Sequence, residues 1–255
     1  MTSLVTPLDA LCPIPFHEAD ARARARILSR LADTELFVAL RAEPAGDKAD
    51  LLIYQLAERA VALACDSGER LAGFIGGPVS YLALPGRVLA AALAAEGQGL
   101  LVNPGHASQL LLDPAGLAWL VEALQARPSL APDQAPLRIQ PPTATVVESL
   151  AEPIAQRLGD MAGMIGSAAL FAADWADGRS GHTLLLSGVA ETQRDALAKA
   201  LAELLAFLPE PPGGVDIGFS EAKPPALALI LEPPPEAQPE EAPQRDPKAP
   251  PRLRW

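Results

Sequence analysis

The run DARARARILSRLADTELFVAL, residues 20–40, decides the fold class. Its first half carries apolar residues at helical spacing, with Ile27, Leu28 and Leu31 on one face and Arg22, Arg26 and Arg30 at four-residue intervals on the other. This predicts a helix over about Asp20–Ala32. Arg24 projects between Leu28 and Leu31 on the apolar side, so its guanidinium must reach water or find a carboxylate as an ion-pair partner. The second half, Leu36–Leu40, reads as a strand.

The mixture of helix and strand continues outward. Leu51–Leu56 and Ala60–Cys65 are strand-like, and Asp66 with Glu69 has the spacing of a capping box for a short helix. Ser80–Leu84 reads as a strand, Pro85-Gly86 as a turn, and Arg87–Ala95 as a helix presenting Val88, Leu89, Ala92 and Leu93. Strands Leu100–Val102 and Gln109–Leu112 flank Asn103-Pro104-Gly105. Asp113-Pro114 then opens a helix with a capping carboxylate and a proline at its first position, where the missing N–H costs nothing. That helix, with Leu117, Leu120, Val121 and Leu124, closes a first domain over 1–126.

Beyond it lies a Pro-rich connector, 127–142, with a strand candidate at Leu137–Ile139. A helix Thr143–Leu158 carries Val146, Val147, Leu150, Ile154 and Leu158. Strands near Ile165–Trp175 and His182–Ser187 are joined through Asp177-Gly178, a favourable hairpin pair. A helix Thr192–Phe207 begins on a Thr192-x-x-Asp195 capping box, and Val215–Phe219 and Ala226–Leu231 are the last strands. The fold class is α+β. The second domain, 143–231, has the order β-α-β-β-α-β-β when the connector strand is counted, compatible with a split-βαβ sandwich of one sheet backed by two helices. Residues 232–255, with many prolines and mixed charge, are expected to form a disordered tail. Within that tail Arg252, Leu253, Arg254 and Trp255 place two apolar anchors among cations, a candidate short binding motif.

Composition narrows the partners. Aromatic residues are 4% of the chain, so the core must be built from Leu, Ala, Val and Ile. A formal charge of −11 argues against nucleic acid, which needs a clustered cationic surface, and against an anionic membrane surface. The uncharged run Met161–Ala173 falls short of the ~20 residues of a transmembrane helix. The N-terminus meets Asp9 before an apolar run develops, so no secretory signal is expected. Cys12 and Cys65 are too few for a disulfide framework and read as reduced thiols in the cytoplasm.

No catalytic constellation stands out. His17, His106 and His182 are scattered, so neither a metal nor any other cofactor is expected. Gly73-x-x-Gly76-Gly77-Pro78 reads as a turn, because Pro78 removes an N–H that a phosphate cradle would use. Cys65 lacks a neighbouring cation that would make it a nucleophile. The most distinctive string is the Asn103–Gln109 loop. It is a plain turn, or else a recognition patch of Asn103, Pro104, Gly105, His106, Ser108 and Gln109.

Ala25–Leu40, Ser67–Leu71 (SGERL), Tyr81–Leu89 (YLALPGRVL), Leu101–Gly105 (LVNPG) and Trp119-Leu120, in this order and spacing, resemble the N-terminal domain of the SseB, or enhanced serine sensitivity, family. The likeness covers roughly residues 20–125, and the second half resembles the family's C-terminal domain by element order. Cys65-Asp66-Ser67 stands where many members carry Phe-Thr-Ser, so the hydroxyl is kept and the aromatic lost. The resemblance implies a cytoplasmic protein linked to serine tolerance and brings no catalytic residues. Two functions stay open: a non-enzymatic interaction or regulatory module with a protein partner, and an enzyme or small-metabolite binder near serine or sulfur amino-acid metabolism.

Overall fold

The computed structural model describes residues 5–44, 49–56, 59–131 and 135–232. The expected tail from residue 233 onward, with Arg252, Leu253, Arg254 and Trp255, lies outside the described residues.

Asp20 caps helix α2 (Ala21–Asp33) by accepting from the Ala23 N–H at 2.7 Å, and Ile27, Leu28 and Leu31 are buried along it as their spacing requires. Arg24 is exposed, so its guanidinium reaches water, one of the two expected outcomes, and its hydrogen bonds go to backbone carbonyls. Its Nε and Nη2 donate to the Phe16 and His17 carbonyls at 3.2 and 2.7 Å, and the guanidinium lies over the Phe16 ring. Before α2 comes a single turn, α1 (Pro7–Ala10).

Strand β1 (Glu35–Ala39) follows, then β2 (Ile53–Leu56), β3 (Arg59–Cys65), α3 (Gly68–Ile75), β4 (Tyr81–Pro85), α4 (Gly86–Ala95), β5 (Gly99–Val102), β6 (Leu110–Leu112) and α5 (Pro114–Leu124). The sheet order is β4-β1-β3-β5-β6, with β2 also paired to β3. One edge of β3 runs parallel to β5. The other is shared end to end by β1 and β2 in the registers Phe37↔Cys65 and Tyr54↔Val61. Period-two alternation sends Val38, Ala62, Ala64, Leu100 and Val102 into the large core with α2, α4 and α5, and Ala39, Leu63 and Cys65 toward Leu71 of α3.

Two local expectations are corrected. The cap of α3 is Ser67, whose side chain accepts from the Arg70 N–H, because Asp66 is engaged elsewhere. Pro85-Gly86 makes no turn; β4 runs straight into α4. A Cβ at Gly86 would lie 2.0 Å from the Leu31 carbonyl oxygen, so glycine is what lets α4 pack onto α2. Asp113 caps α5 as read, accepting from Gly116 at 2.8 Å.

The second half comprises β7 (Arg138–Gln140), α6 (Ala144–Val146), a π turn Val147–Ala151, α7 (Glu152–Asp160), β8 (Ser167–Asp174), β9 (Ser180–Ser187), α8 (Glu191–Ala206), β10 (Val215–Phe219) and β11 (Leu229–Leu231). The expected uninterrupted helix widens into the π turn just before Pro153, which has no N–H to return to the Ser149 carbonyl. Helix α8 starts on Ala190 without a side-chain cap, so the Thr192 box is not used.

The sheet order is β10-β9-β8-β11, and β7 shares the β11 edge of β8. The α+β class and element order are those read from the sequence. The parallel pair β9 and β10, joined through α8, are direct neighbours, so no strand is inserted between them. Part of the connector is itself paired, since Leu130 bridges Ile217, with Ala131 N–H donating to the Ile217 carbonyl at 2.9 Å.

The two halves meet through their helices. One contiguous cluster of buried apolar side chains runs from Ile27, Leu89 and Leu120 to Leu197, Leu201 and Leu204. Trp119 leans on Phe207 with ring centroids 5.6 Å apart. Arg87 of α4 reaches Glu203 of α8 at 3.1 Å and also Asp33, which accepts from Arg157 of α7 at 3.0 Å. Lys199 Nζ donates to the Leu124 and Ala126 carbonyls at 2.6 and 2.7 Å, satisfying the end of α5. Among the described residues no helix is long and apolar enough to cross a membrane.

Candidate functional site

The loop between β5 and β6 is built from the inside out. Asn103 takes a left-handed φ of +46°, a conformation asparagine tolerates better than most residues, and its side chain is fully buried. Its Oδ1 accepts from the Asp66 N–H at 2.9 Å and its Nδ2 donates to Ser108 Oγ at 2.8 Å. The Ser108 hydroxyl and N–H in turn donate to Asp9 Oδ1 at 2.6 and 3.1 Å. Asn103 and Ser108 therefore face inward and form the frame of the loop. Pro104 is buried beside them.

Under this frame sits Arg70, with side-chain exposure of 6%, against 9% for Asp9 and 3% for Asp66. Its Nη2 pairs with Asp9 Oδ2, and its Nη1 with Asp66 Oδ1 at 3.2 Å. Thr6 Oγ1 donates to Asp66 Oδ2 at 2.6 Å. Burial works against the Asp9 charge, but the Arg70 guanidinium, the Ser108 hydroxyl and the Thr6 and Ser108 N–H groups outweigh it, holding this carboxyl well below the carboxylate range. The network fastens α1 to the start of α3 and to the loop.

What the loop turns outward is smaller than the sequence suggested. Gly105, at φ +79°, and Gln109 are exposed, and His106 is half-buried. Gln109 Oε1 accepts from the Gly105 N–H at 2.7 Å, bracing the tip. His106 and Gln109 line a cleft of about 380 Å³, whose opposite wall is Cys12, the Pro13–Pro15 turn with exposed Ile14, and His17. Burial, with a smaller push from Asp9, raises the Cys12 thiol. Cys65 lies in the core beneath α3, where burial and then the Asp66 charge push it up to about 11. Both are protonated thiols near neutral pH. Among the described residues no group of three or more His, Cys, Asp or Glu side chains is placed to hold a metal ion.

Sequence reasoning missed Asp9, Asp66, Arg70 and Thr6. One local signal existed. Thr6-Pro7-Leu8-Asp9 is a capping box with proline at the first helical position, and the structure forms it in full. Its long-range partners have no local signature, because Asp9 and Arg70 stand 61 positions apart.

The fold and site define an α+β protein of two sheets joined through helical layers, with a cleft walled by a loop braced on a buried ion-pair network. Residues 16–119 match the family model of the SseB protein N-terminal domain. Arg70, Asp66, Asn103 and Ser108 fall inside the matched span, and Asp9 precedes it. Comparison with curated proteins and with solved structures finds no match.

Proposed function

We propose that this is a non-enzymatic cytoplasmic recognition protein of the SseB type, and that it binds a protein partner at the cleft between the Asn103–Gln109 loop and the Cys12–His17 segment. The observation that carries the reading is the bracing of the loop. Asn103 and Ser108 are tied to Asp9, Asp66 and Arg70 below it, so His106 and Gln109 are presented on a rigid support. A surface ordered before binding spends little of its interaction energy on ordering itself. The protonated state of the Cys12 thiol favours recognition over thiol chemistry at this cleft. The formal charge of −11 favours a partner other than nucleic acid.

A second reading has one observation in its favour. A cleft of about 380 Å³ is the size of a small-molecule site, which suits a metabolite of serine or sulfur amino-acid metabolism. Thermal shift of the full chain with serine, cysteine and their phosphorylated and acetylated forms separates the two, since a ligand at 100-fold its Kd stabilises by ~2.7 kcal/mol. Protein capture by the full chain and by His106→Ala, compared side by side, tests the first reading. Equal recovery of every captured protein by both chains, together with no thermal shift, would remove the cleft from either role.

A further inference from the structure

A second concavity, of about 430 Å³, lies on the far side of the helical layers, where α5 and α8 end beside edge strand β10. Its walls mix the apolar side chains Leu205, Ala206, Leu208 and Val215 with polar groups, and its rim carries Glu210 and Asp216. Helix α8 has no basic residue in its last turn, so its negative end is left without a cation of its own sequence. The Ser129 hydroxyl donates to Asp216 Oδ1, which fixes that carboxylate at the rim. The one cation of the lining, Arg127, is an exposed side chain. The groove therefore offers apolar surface between two carboxylates and a helix C-terminus, and suits a ligand both apolar and cationic.

This chain contains such a segment. Between Arg245 and Trp255 four cations stand against one carboxylate, in a chain whose formal charge is −11. Leu253 and Trp255 alternate with Arg252 and Arg254. The segment also reaches. β11 and β10 are three strand spacings apart, about 14 Å. The 21 peptide units from Glu232 to Leu253 span up to about 70 Å of chain contour. We propose that Arg252–Trp255 docks in this groove of its own molecule, with Leu253 and Trp255 on the apolar side chains of its walls and the two arginines against Glu210, Asp216 and the end of α8.

The test is ¹⁹F NMR of the full chain carrying 5-fluorotryptophan at Trp119, Trp175 and Trp255, with Trp255→Phe assigning the third signal. The expected Trp255 signal lies away from that of a synthetic peptide of residues 245–255, shows a reduced solvent-isotope shift, and does not move with protein concentration. Glu210→Lys, on an exposed loop residue, and Ala206→Arg, at the exposed end of α8, should each lower the docked fraction at least tenfold. The Trp175 signal, from the outer face of the second sheet, should stay in place and report an intact fold. A Trp255 signal at the free-peptide position in the unmutated chain overturns the proposal, as does indifference to both substitutions. A signal that shifts with concentration would assign the segment to a second copy and also overturn it.

Discussion

Arg70 gathers the distant Asp9 and the neighbouring Asp66, and Arg87 gathers Asp33 and Glu203 from distant stretches of the chain, yet the two arginines sit in different media. Arg70, Asp9 and Asp66 are all less than a tenth exposed, whereas the Arg87 side chain is 37% exposed and Asp33, which it shares with Arg157, is 32% exposed, and of the Arg87 partners only Glu203, at 6%, is buried. The first trio supports the cleft, and the second lies across the junction of the two halves. Water decides what each is worth. A buried pair that loses one member leaves a charge with nothing to answer it, while a pair open to solvent exchanges one set of weak partners for another. The comparison teaches that the N-terminal network is a structural dependency and the solvent-open Asp33 arm of the junction network an adjustment.

The strongest way to break that comparison is to delete the buried hub. Arg70→Met strands Asp9 and Asp66 together and should destabilise by ~3–5 kcal/mol in chemical denaturation at neutral pH. A loss below ~1 kcal/mol would mean that water reaches the network and that the contrast is false.

Acid sharpens the same contrast, and the signs agree for two groups in opposite halves. Asp9 titrates below its ordinary 3.8 in the folded protein, so its contribution is complete above that value and is lost as pH falls through the folded pKa. His182, on β9, is buried, and among the described residues its Nδ1 has no hydrogen-bond partner. Burial lowers its pKa from 6.5 against a smaller opposing pull from the Gly214 carbonyl. It too stabilises in its unprotonated range and costs stability as pH drops. Stability measured against pH should therefore fall in two steps, the first beginning below 6.5 and absent in His182→Leu, the second below 3.8 and flattened in Asp9→Asn. A single step that survives both substitutions would place the acid-sensitive groups elsewhere.

At the junction, Asp33→Asn removes a carboxylate shared by Arg87 and Arg157. With all three partly in solvent the expected loss is ~0.2–1 kcal/mol, shrinking further at high salt. A loss as large as that of Arg70→Met would erase the distinction between the networks.

How much of this was legible follows the range of the interactions. Local chemistry was readable: the face of α2 and the Asp113-Pro114 start of α5 are both realised. Asp66 was read as a local cap because Glu69 stands three residues on, but it pairs with Arg70 one helical turn away, the folded chain brings Thr6 to it, and capping is left to Ser67. Asn103 and Ser108 were read as surface groups for the same reason. Polar residues in a Pro-Gly loop look solvated until partners from 37 and 99 positions away close over them. The groove beside β10 had no sequence signal, since its walls come from α8, the connector and β10.

The smallest expected effect on stability lies in the loop, where two neighbouring positions should separate support from recognition. Gly105 has φ +79° with nothing within 4 Å of where a Cβ would sit, so Gly105→Val is strained by backbone conformation alone and should cost ~1–2 kcal/mol. His106 contributes its N–H to the Asn103 carbonyl at 3.1 Å, a backbone bond that any side chain keeps. Its half-buried imidazole is absent from the Asp9–Arg70 network. His106→Ala should therefore stay within ~0.5 kcal/mol of the unmutated chain and leave both acid steps where they are. If that variant keeps its stability and loses a captured protein or a ligand-induced thermal shift, the imidazole serves recognition and the network beneath serves only to hold it out. If it loses more than Gly105→Val, His106 belongs to the support, and the division between a buried frame and an outward reading surface fails at the residue where it is drawn most finely.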